Sequence, residues 1–241
     1  MKKPCLFFDL DNTILDFNTA EEKALGKALR EAGLTLDAEK LAHYRRINEQ
    51  CWQALERGEM SRERVLYGRY EQFFREEGFA AADPAAVQDR YEYILSHGHY
   101  FMPGAEALLN AFAENYRLFA VSNGNAVTQA GRIASAGLSQ WFEDFFISEK
   151  IGAEKPSAAF FDYCFSHIAG AEKDSTVIIG DSLTSDILGG INAGIATVWY
   201  NFSHKAEPPA ISPDYIIHEL AELPPLLEKH FLNREKHFHE Q

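Results

Sequence analysis

Short apolar runs recur along the chain, each ending in polar or turn residues, and they predict the strands of a sheet. The first, Cys5–Phe8, is uninterrupted, as in a strand that is buried on both faces. Strands of this kind belong to parallel sheets that are covered by helices. Further strands are predicted at residues 116–122, 145–148, 176–179, 196–200 and 214–217.

Helical patterns at 126–136, 157–168 and 184–193 separate the later strands. Repeated strand and helix units with short connections favour right-handed crossovers and therefore a parallel sheet. The predicted fold class is α/β, with a doubly wound parallel sheet.

Residues 16–98 have a different pattern, with no convincing strand and a succession of amphipathic helices. Gly33, Gly58 and Gly78 lie just past predicted helix ends, and Asp83 with Pro84 is typical of a helix start. Helices alone between two strands of a sheet indicate an insertion. We predict a helical cap subdomain at 16–98 and a core made of residues 1–15 and 99–241. The four predicted cap helices cover residues 19–32, 38–57, 61–77 and 84–96.

The composition fits a globular protein, because 241 residues with 46% hydrophobic content can bury a substantial core. No segment is apolar enough for a membrane span, and Met1-Lys2-Lys3-Pro4 leads into a strand, so we expect a cytoplasmic protein. The scattered Cys5, Cys51 and Cys164 are expected to be reduced packing residues. A net charge of −13 argues against nucleic acid and anionic membranes as partners. It does not exclude a small anionic substrate, because one divalent cation and one lysine can reverse the potential locally.

Two carboxylates, Asp9 and Asp11, follow the first strand directly. In an extended backbone residues two apart lean the same way, while Leu10 points back into the protein. At about 4 Å and an effective dielectric near 20, the repulsion between the carboxylates is roughly 4 kcal/mol, which a cation or a shared proton relieves. The pair therefore predicts a metal ion. The alternative is that Asp11 and Asn12 only form a turn.

Three later segments carry the other groups that a phosphate site needs. The run 122–124, Ser-Asn-Gly, offers a hydroxyl and main-chain N–H groups after the second strand. Lys155 offers a cation that can screen the repulsion between a carboxylate and a phosphate. Asp181 ends a strand, and Asp186 lies in the first turn of the next helix. Each also has a simpler interpretation: a turn, a solvated surface lysine, and an acid that complements a helix dipole.

In this order the segments resemble the four motifs of the haloacid-dehalogenase superfamily of phosphatases. Asp9-Leu10-Asp11-Asn12-Thr13 resembles its DxDxT motif, and Ser122 resembles the hydroxyl of the second motif. Lys155 in Glu154-Lys155-Pro156 resembles the third, and Gly180-Asp181 to Asp186 resembles the GDxxxxD fourth. The insertion is similar to the helical cap of the first cap class. The cap and the run 187–194, ILGGINAG, are similar to a subfamily of 5′-nucleotidases that act on pyrimidine nucleoside monophosphates.

The resemblance implies a role for each motif residue. Asp9 attacks phosphorus to give an aspartyl phosphate, and Asp11 serves as the acid and then as the base. Mg²⁺ is the implied cofactor, held by Asp9, the Asp11 main-chain carbonyl and Asp181, with Asp186 orienting these ligands. The transferring phosphoryl oxygens are held by Ser122, the Asn123 amide and Lys155.

Trp52 and Arg69 in the cap are candidates for substrate selection, because the core motifs supply groups only for phosphate and metal. Trp52 can stack on a base, and Arg69, which follows Gly68, can reach a base or ribose oxygen. The alternative is that Trp52 anchors the helical bundle and Arg69 is solvated.

We therefore expect a Mg²⁺-dependent phosphomonoester hydrolase that acts on small phosphorylated metabolites. The expected substrate is a pyrimidine nucleoside 5′-monophosphate, and the expected assembly is a monomer or small homo-oligomer. One alternative is a phosphatase or mutase for sugar phosphates, since the same core accepts many leaving groups. Another is a phospho-acceptor module without turnover, against which Asp11 and the full cap argue. A dehalogenase is disfavoured, because halide needs no acid to protonate it.

Overall fold

Strand β1, Cys5–Phe8, lies inside the sheet with a parallel neighbour on each side. The computed structural model describes residues 3–206 and 210–239, and the sheet in these ranges has six strands. The others are β2 Arg117–Ser122, β3 Asp144–Ile147, β4 Thr176–Gly180, β5 Ala196–Tyr200 and β6 Tyr215–Ile217. They pair in the order β3-β2-β1-β4-β5-β6, and every pair is parallel. The predicted doubly wound α/β fold is confirmed.

Ten α-helices accompany the sheet in the described ranges. They are α1 Phe17–Glu31, α2 Ala38–Glu56, α3 Arg69–Glu77, α4 Pro84–Ser96, α5 Ala105–Ala113, α6 Ala126–Ser135, α7 Ser148–Ile151, α8 Ala158–His167, α9 Leu188–Ala193 and α10 Leu223–His239. Two π-helical segments, Arg64–Gly68 and Leu183–Ile187, precede α3 and α9. Helices α5 and α7 were not among the predicted elements, and no bounds were predicted for α10.

Both faces of the sheet are covered by apolar side chains from these helices. On one face Phe8 lies beside Phe112 of α5, with ring centroids 6.5 Å apart. On the other, Phe7 clusters with Phe160 and Phe161 of α8. This double burial explains why β1 is apolar at every position, and it leaves the ends of the strands for polar groups.

The chain divides into two compact units by its contacts. The core unit comprises Met1–Leu15, Phe101–Asn123 and Leu138–Gln241. The helical unit comprises Asp16–Tyr100 and Gly124–Gly137. The predicted boundary placed all of 99–241 in the core, whereas the contacts group α6 with the cap helices.

Within the helical unit, α6 packs very closely on the end of α4. A Cβ atom added to Gly131 of α6 would lie 2.4 Å from the Ser96 carbonyl oxygen. The Thr128 hydroxyl of the same helix also donates a hydrogen bond to Glu92 of α4. These contacts explain why α6 groups with α4, although it directly follows a strand of the sheet.

Two further expectations concern the cysteines and the membrane. Cys5, Cys51 and Cys164 are buried and form no disulfide, as expected for packing residues. No helix within residues 3–206 and 210–239 is both long enough and apolar enough to span a bilayer.

Candidate active site

The turn after β1 holds Asp9 at the end of the sheet. The Asp9 N–H donates to the Ile179 carbonyl at 2.9 Å, which extends the pairing between β1 and β4 by one residue. Leu10 is fully buried, as predicted, and its carbonyl accepts from the N–H groups of Ile14 and Leu15. Asn12 adopts a left-handed conformation with φ of 59°, which asparagine tolerates better than most residues. The motif is therefore a tight turn that fixes Asp9 beside β4.

The segment after β4 brings Asp186 back to the strand end. A Cβ atom added to Gly180 would lie 2.2 Å from Asp186 Oδ2, so the carboxylate occupies the space that any other residue would fill. Asp186 is fully buried, and its Oδ2 accepts from the Ser182 N–H at 3.0 Å. Asp186 can therefore take this position only if residue 180 is glycine.

Three carboxylates meet at this edge of the sheet. Asp9, Asp181 and Asp186 each offer an oxygen atom, and these atoms lie within 4.8 Å of one another. Burial raises the pKa of Asp9 well above its usual value; Lys155 opposes this effect, and Asp186 adds to it. Burial, reinforced by Asp186, raises the pKa of Asp181 to about 7. Clustered carboxylate oxygens are the ligands that Mg²⁺ prefers, so this donor set fits the ion.

Lys155 is the cation of the site and is 1% exposed. Its Nζ donates to Asp9 Oδ1 at 2.8 Å, to Asp186 Oδ1 at 2.6 Å and to the Val121 carbonyl at 2.9 Å. Burial works against its charge, but Asp186 and Asp9 raise the pKa of Lys155 above its usual value, so the ammonium stays charged. The interpretation of Lys155 as a solvated surface lysine is wrong.

The second motif joins the site at the end of β2. Ser122 is 1% exposed and is the last residue of that strand. The side chain of Asn123 binds the main chain of Lys155 twice: Nδ2 donates to the Lys155 carbonyl at 2.9 Å, and Oδ1 accepts its N–H at 2.9 Å. The sequence predicts only an interaction of the Asn123 main-chain N–H with phosphate.

Trp199 is a further site residue that the sequence pattern did not indicate. It is fully buried in β5, opposite Gly180 in the register of the sheet. Its indole N–H donates to the main-chain carbonyl of Asp181 at 2.9 Å. A tryptophan in an apolar strand is indistinguishable from a packing residue by sequence, so only the register with β4 reveals the contact.

Arg69 is enclosed within the helical unit and is 2% exposed. Its guanidinium donates to Asn48 at 2.6 Å, Gln88 at 3.1 Å and Glu92 at 3.3 Å. Both interpretations of this residue, as solvated and as reaching a base or ribose, are therefore wrong. The side chain has almost no exposed surface, and its Nη1 and Nη2 groups already donate to partners within the helical unit.

Trp52 is half-buried against the apolar core of the helical unit. The Arg62 guanidinium lies 5.7 Å from the centroid of its ring. This packing supports an anchoring role, and stacking of Trp52 on a base stays a prediction.

Known proteins resemble this chain over nearly its whole length. The family model for haloacid dehalogenase-like hydrolases matches residues 4–194. Pyrimidine 5′-nucleotidase PynA of Streptococcus pneumoniae is 36% identical, over 95% of this chain and 97% of that protein. Pyrimidine 5′-nucleotidase YjjG of Escherichia coli is 31% identical, over 95% of this chain and all of that protein. A magnesium-bound structure of YfnB from Bacillus subtilis superposes with a TM-score of 0.88 at 38% identity, covering 94% of this chain and 99% of that one.

Proposed function

The chain belongs to the haloacid dehalogenase-like hydrolases, and we propose that it hydrolyses nucleoside 5′-monophosphates, with pyrimidine nucleotides preferred. The protein is a phosphatase. The observation that carries the proposed chemistry is the contact of the Lys155 ammonium with both Asp9 and Asp186 beside Asp181. The substrate class is supported by the likeness to two pyrimidine 5′-nucleotidases across 95% of the chain.

In the first step the Asp9 carboxylate attacks phosphorus, and the bond from phosphorus to the nucleoside oxygen breaks. The electron pair of that bond goes to the leaving oxygen, which takes a proton from the Asp11 carboxyl group. The products are the free nucleoside and phosphorylated Asp9. A fixed position for Asp9 favours this step, because the nucleophile must lie in line with the leaving oxygen.

In the second step a water molecule attacks the phosphorus of the aspartyl phosphate. Asp11, now a carboxylate, accepts the proton of this water, and the bond from phosphorus to Asp9 breaks. Inorganic phosphate leaves, and both aspartates return to their starting states. Ser122 and the Asn123 main-chain N–H bind the phosphoryl oxygens in both steps.

Lys155 has two roles in the proposed mechanism. All three of its N–H groups already have acceptors: Asp9, Asp186 and the Val121 carbonyl. Binding a phosphoryl oxygen therefore requires exchange of one of these hydrogen bonds. Lys155 orients the nucleophile before the substrate binds and then shares its charge with the phosphoryl group.

The residues that would hold Mg²⁺ are Asp9 and Asp181, together with the main-chain carbonyl of Asp11, while Asp186 orients the group. When bound, the ion supplies positive charge that offsets the repulsion between the Asp9 carboxylate and the phosphate. This requirement explains why three acids lie together at a site for an anionic substrate, although Asp186 adds to the raised pKa of both Asp9 and Asp181.

Steady-state kinetics with and without Mg²⁺ on UMP, dUMP, dTMP, AMP, small sugar phosphates and p-nitrophenyl phosphate tests the proposal. The expected result is Mg²⁺-dependent turnover with the highest kcat/KM on a pyrimidine nucleotide. A clear preference for sugar phosphates would overturn the substrate assignment and leave the phosphatase chemistry in place. The Asp9→Asn variant, prepared identically, controls for contaminating phosphatases.

A further inference from the structure

Two asparagines from separate parts of the core unit bind the main chain on either side of the link between Lys155 and Pro156. We propose that Asn123 and Asn192 are positioning residues, which fix the loop that carries Lys155 and thereby hold its ammonium between Asp9 and Asp186. The proposal rests on the proposed function only in giving Lys155 a part in phosphate binding.

Asn123 fixes the Lys155 side of the link. Its side-chain Oδ1 accepts from the Lys155 N–H, and its Nδ2 donates to the Lys155 carbonyl, both at 2.9 Å. These two hydrogen bonds restrain the peptide units on both sides of the Lys155 Cα atom. Asn123 follows β2 directly, so the restraint connects the Lys155 loop to the sheet.

Asn192 of α9 fixes the Pro156 side of the link. Its Nδ2 donates to the Pro156 carbonyl at 3.1 Å. A Cβ atom added to Gly189 would lie 2.7 Å from the Phe161 ring and 3.3 Å from Pro156 Cα, so this glycine lets α9 approach the loop. Gly190 does the same on the sheet side, where an added Cβ would lie 2.6 Å from side-chain carbons of Ile178 and Thr197.

These contacts give a physical role to the glycines and the asparagine of the run 187–194. The glycines place α9 against both the sheet and the loop, and Asn192 then reaches the loop main chain. A lysine side chain has four rotatable bonds, so fixing its main chain reduces the number of positions that its ammonium can reach. Each of the three acceptors of Lys155 lies outside the loop, on other parts of the sheet edge.

The test uses Asn123→Ala, Asn192→Ala and the double variant, with p-nitrophenyl phosphate as the substrate. Alanine keeps the main-chain N–H of Asn123, so the change isolates the side chain. Because a displacement of about 1 Å near the reacting groups can cost about 100-fold, we expect Asn123→Ala to lower kcat/KM by about 10- to 100-fold. Asn192→Ala, which loses one hydrogen bond, should lower it a few-fold, and the double variant should lose more than the product of the two.

Asn201→Ala is the matched control. Asn201 follows β5 and binds the main chain of Lys205 in the same way, with hydrogen bonds of 2.9 and 2.8 Å. Its loss removes the same two bonds from a different loop. We expect Asn201→Ala to keep kcat/KM within about threefold of the wild type, which is less than 1 kcal/mol. An equal loss in Asn201→Ala and Asn123→Ala would contradict the proposal.

A binding measurement separates positioning from general damage and does not depend on which substrate is natural. Calorimetric titration of inorganic phosphate with Mg²⁺ present should show weaker binding in Asn123→Ala than in the wild type. In a Lys155→Met background, Asn123→Ala should cause no further loss, because the asparagine acts through the lysine. A further loss of equal size would overturn the proposal. Should Lys155→Met not fold, a crystal structure of Asn123→Ala decides: Lys155 Nζ still within hydrogen-bond distance of both Asp9 and Asp186 would contradict the proposal.

Discussion

Gly180 is required in the fourth motif because it has no side chain and so leaves room for the Asp186 carboxylate. Gly180→Ala would place a Cβ atom 2.2 Å from Asp186 Oδ2. We expect a loss of about 1–3 kcal/mol in unfolding free energy and of most activity, because Asp186 must leave Lys155. Urea denaturation and turnover of p-nitrophenyl phosphate measure the two effects.

Gly26→Ala is the control for Gly180→Ala. Gly26 lies within α1, where an added Cβ would meet only Leu36 at an ordinary 3.7 Å. Alanine should therefore stabilise this helix by about 0.5–1 kcal/mol. A Gly180→Ala variant that behaves like Gly26→Ala would contradict the close contact with Asp186.

The charged residues near strand ends could be predicted from the sequence. The side chains that bind main-chain atoms of distant residues could not. Asp9 and Asp181 directly follow apolar runs, and Lys155 lies between a predicted strand and a predicted helix, so these three positions stand out locally. The side chain of Asn123 binds main-chain atoms 32 residues away, and main-chain atoms have no sequence signature. Arg69 was misjudged because its partners Asn48 and Glu92 are distant in the sequence.

At the element scale, Arg69 joins three helices of the helical unit. It lies at the start of α3 and donates to Asn48 of α2 and to Gln88 and Glu92 of α4. Arg69→Ala leaves the half-buried Glu92 carboxylate and two buried amides without this partner. The expected cost is about 3–5 kcal/mol of unfolding free energy, measured by chemical denaturation.

Arg75→Ala, in the same helix, is the control for Arg69→Ala. The Arg75 side chain is 71% exposed and lies 3.9 Å from Glu76. Its removal should change the unfolding free energy by no more than about 0.5 kcal/mol. Equal effects of the two variants would show that the buried network does not hold the helices together.

His43 of α2 makes the stability of the helical unit depend on pH. Its ring nitrogens lie 2.5 Å from Glu77 and 2.7 Å from Glu76 of α3, and these hydrogen bonds raise the pKa of His43 above its usual value. The His43 ring therefore binds its second proton more tightly in the folded protein than in the unfolded chain. The stabilisation is fully present below the unfolded pKa of about 6.5 and is lost as the pH rises through the folded pKa.

Comparison of the wild type with His43→Gln tests this linkage. The difference in unfolding free energy between the two proteins should be larger at about pH 6 than at about pH 9, by less than about 1 kcal/mol for a pair near the surface. Glu77→Gln should remove most of the same pH dependence. An equal difference at both pH values would mean that the ion pairs contribute nothing.

The type and order of the helices and strands could be predicted from the sequence, whereas the π-helical turns and the packing of α6 could not. The strand β5 and the helix α4 match their predicted bounds, because period and caps agree there. The π-helical segments before α3 and α9 were predicted as ordinary helix, since one widened turn hardly changes the apolar period. The grouping of α6 with the helical unit depends on the close approach at Gly131, which the apolar pattern does not encode.

For the molecule as a whole, we expect the acid cluster to couple metal binding to folding. Mg²⁺ that binds only the folded protein should stabilise it by about 2.7 kcal/mol at a free concentration about 100 times its Kd. Thermal unfolding at increasing Mg²⁺ should show this effect in the wild type. Asp181→Asn, which replaces a proposed charged ligand, should need much more Mg²⁺ for the same shift, whereas Asp162→Asn, at an exposed position, should not. Identical titrations for Asp181→Asn and the wild type would exclude Asp181 from the metal site.

In the proposed mechanism the phosphoryl group is transferred to Asp9, and trapping it on that residue tests the mechanism. Asp11→Asn keeps the nucleophile but lacks the base for the second step, and p-nitrophenolate leaves without needing a proton. Mixing this variant with p-nitrophenyl phosphate and Mg²⁺, quenching in acid and mapping peptides by mass spectrometry should find one phosphoryl group on Asp9. The Asp9→Asn/Asp11→Asn double variant should show none. Release of p-nitrophenol without any adduct, or an adduct on another residue, would contradict the account.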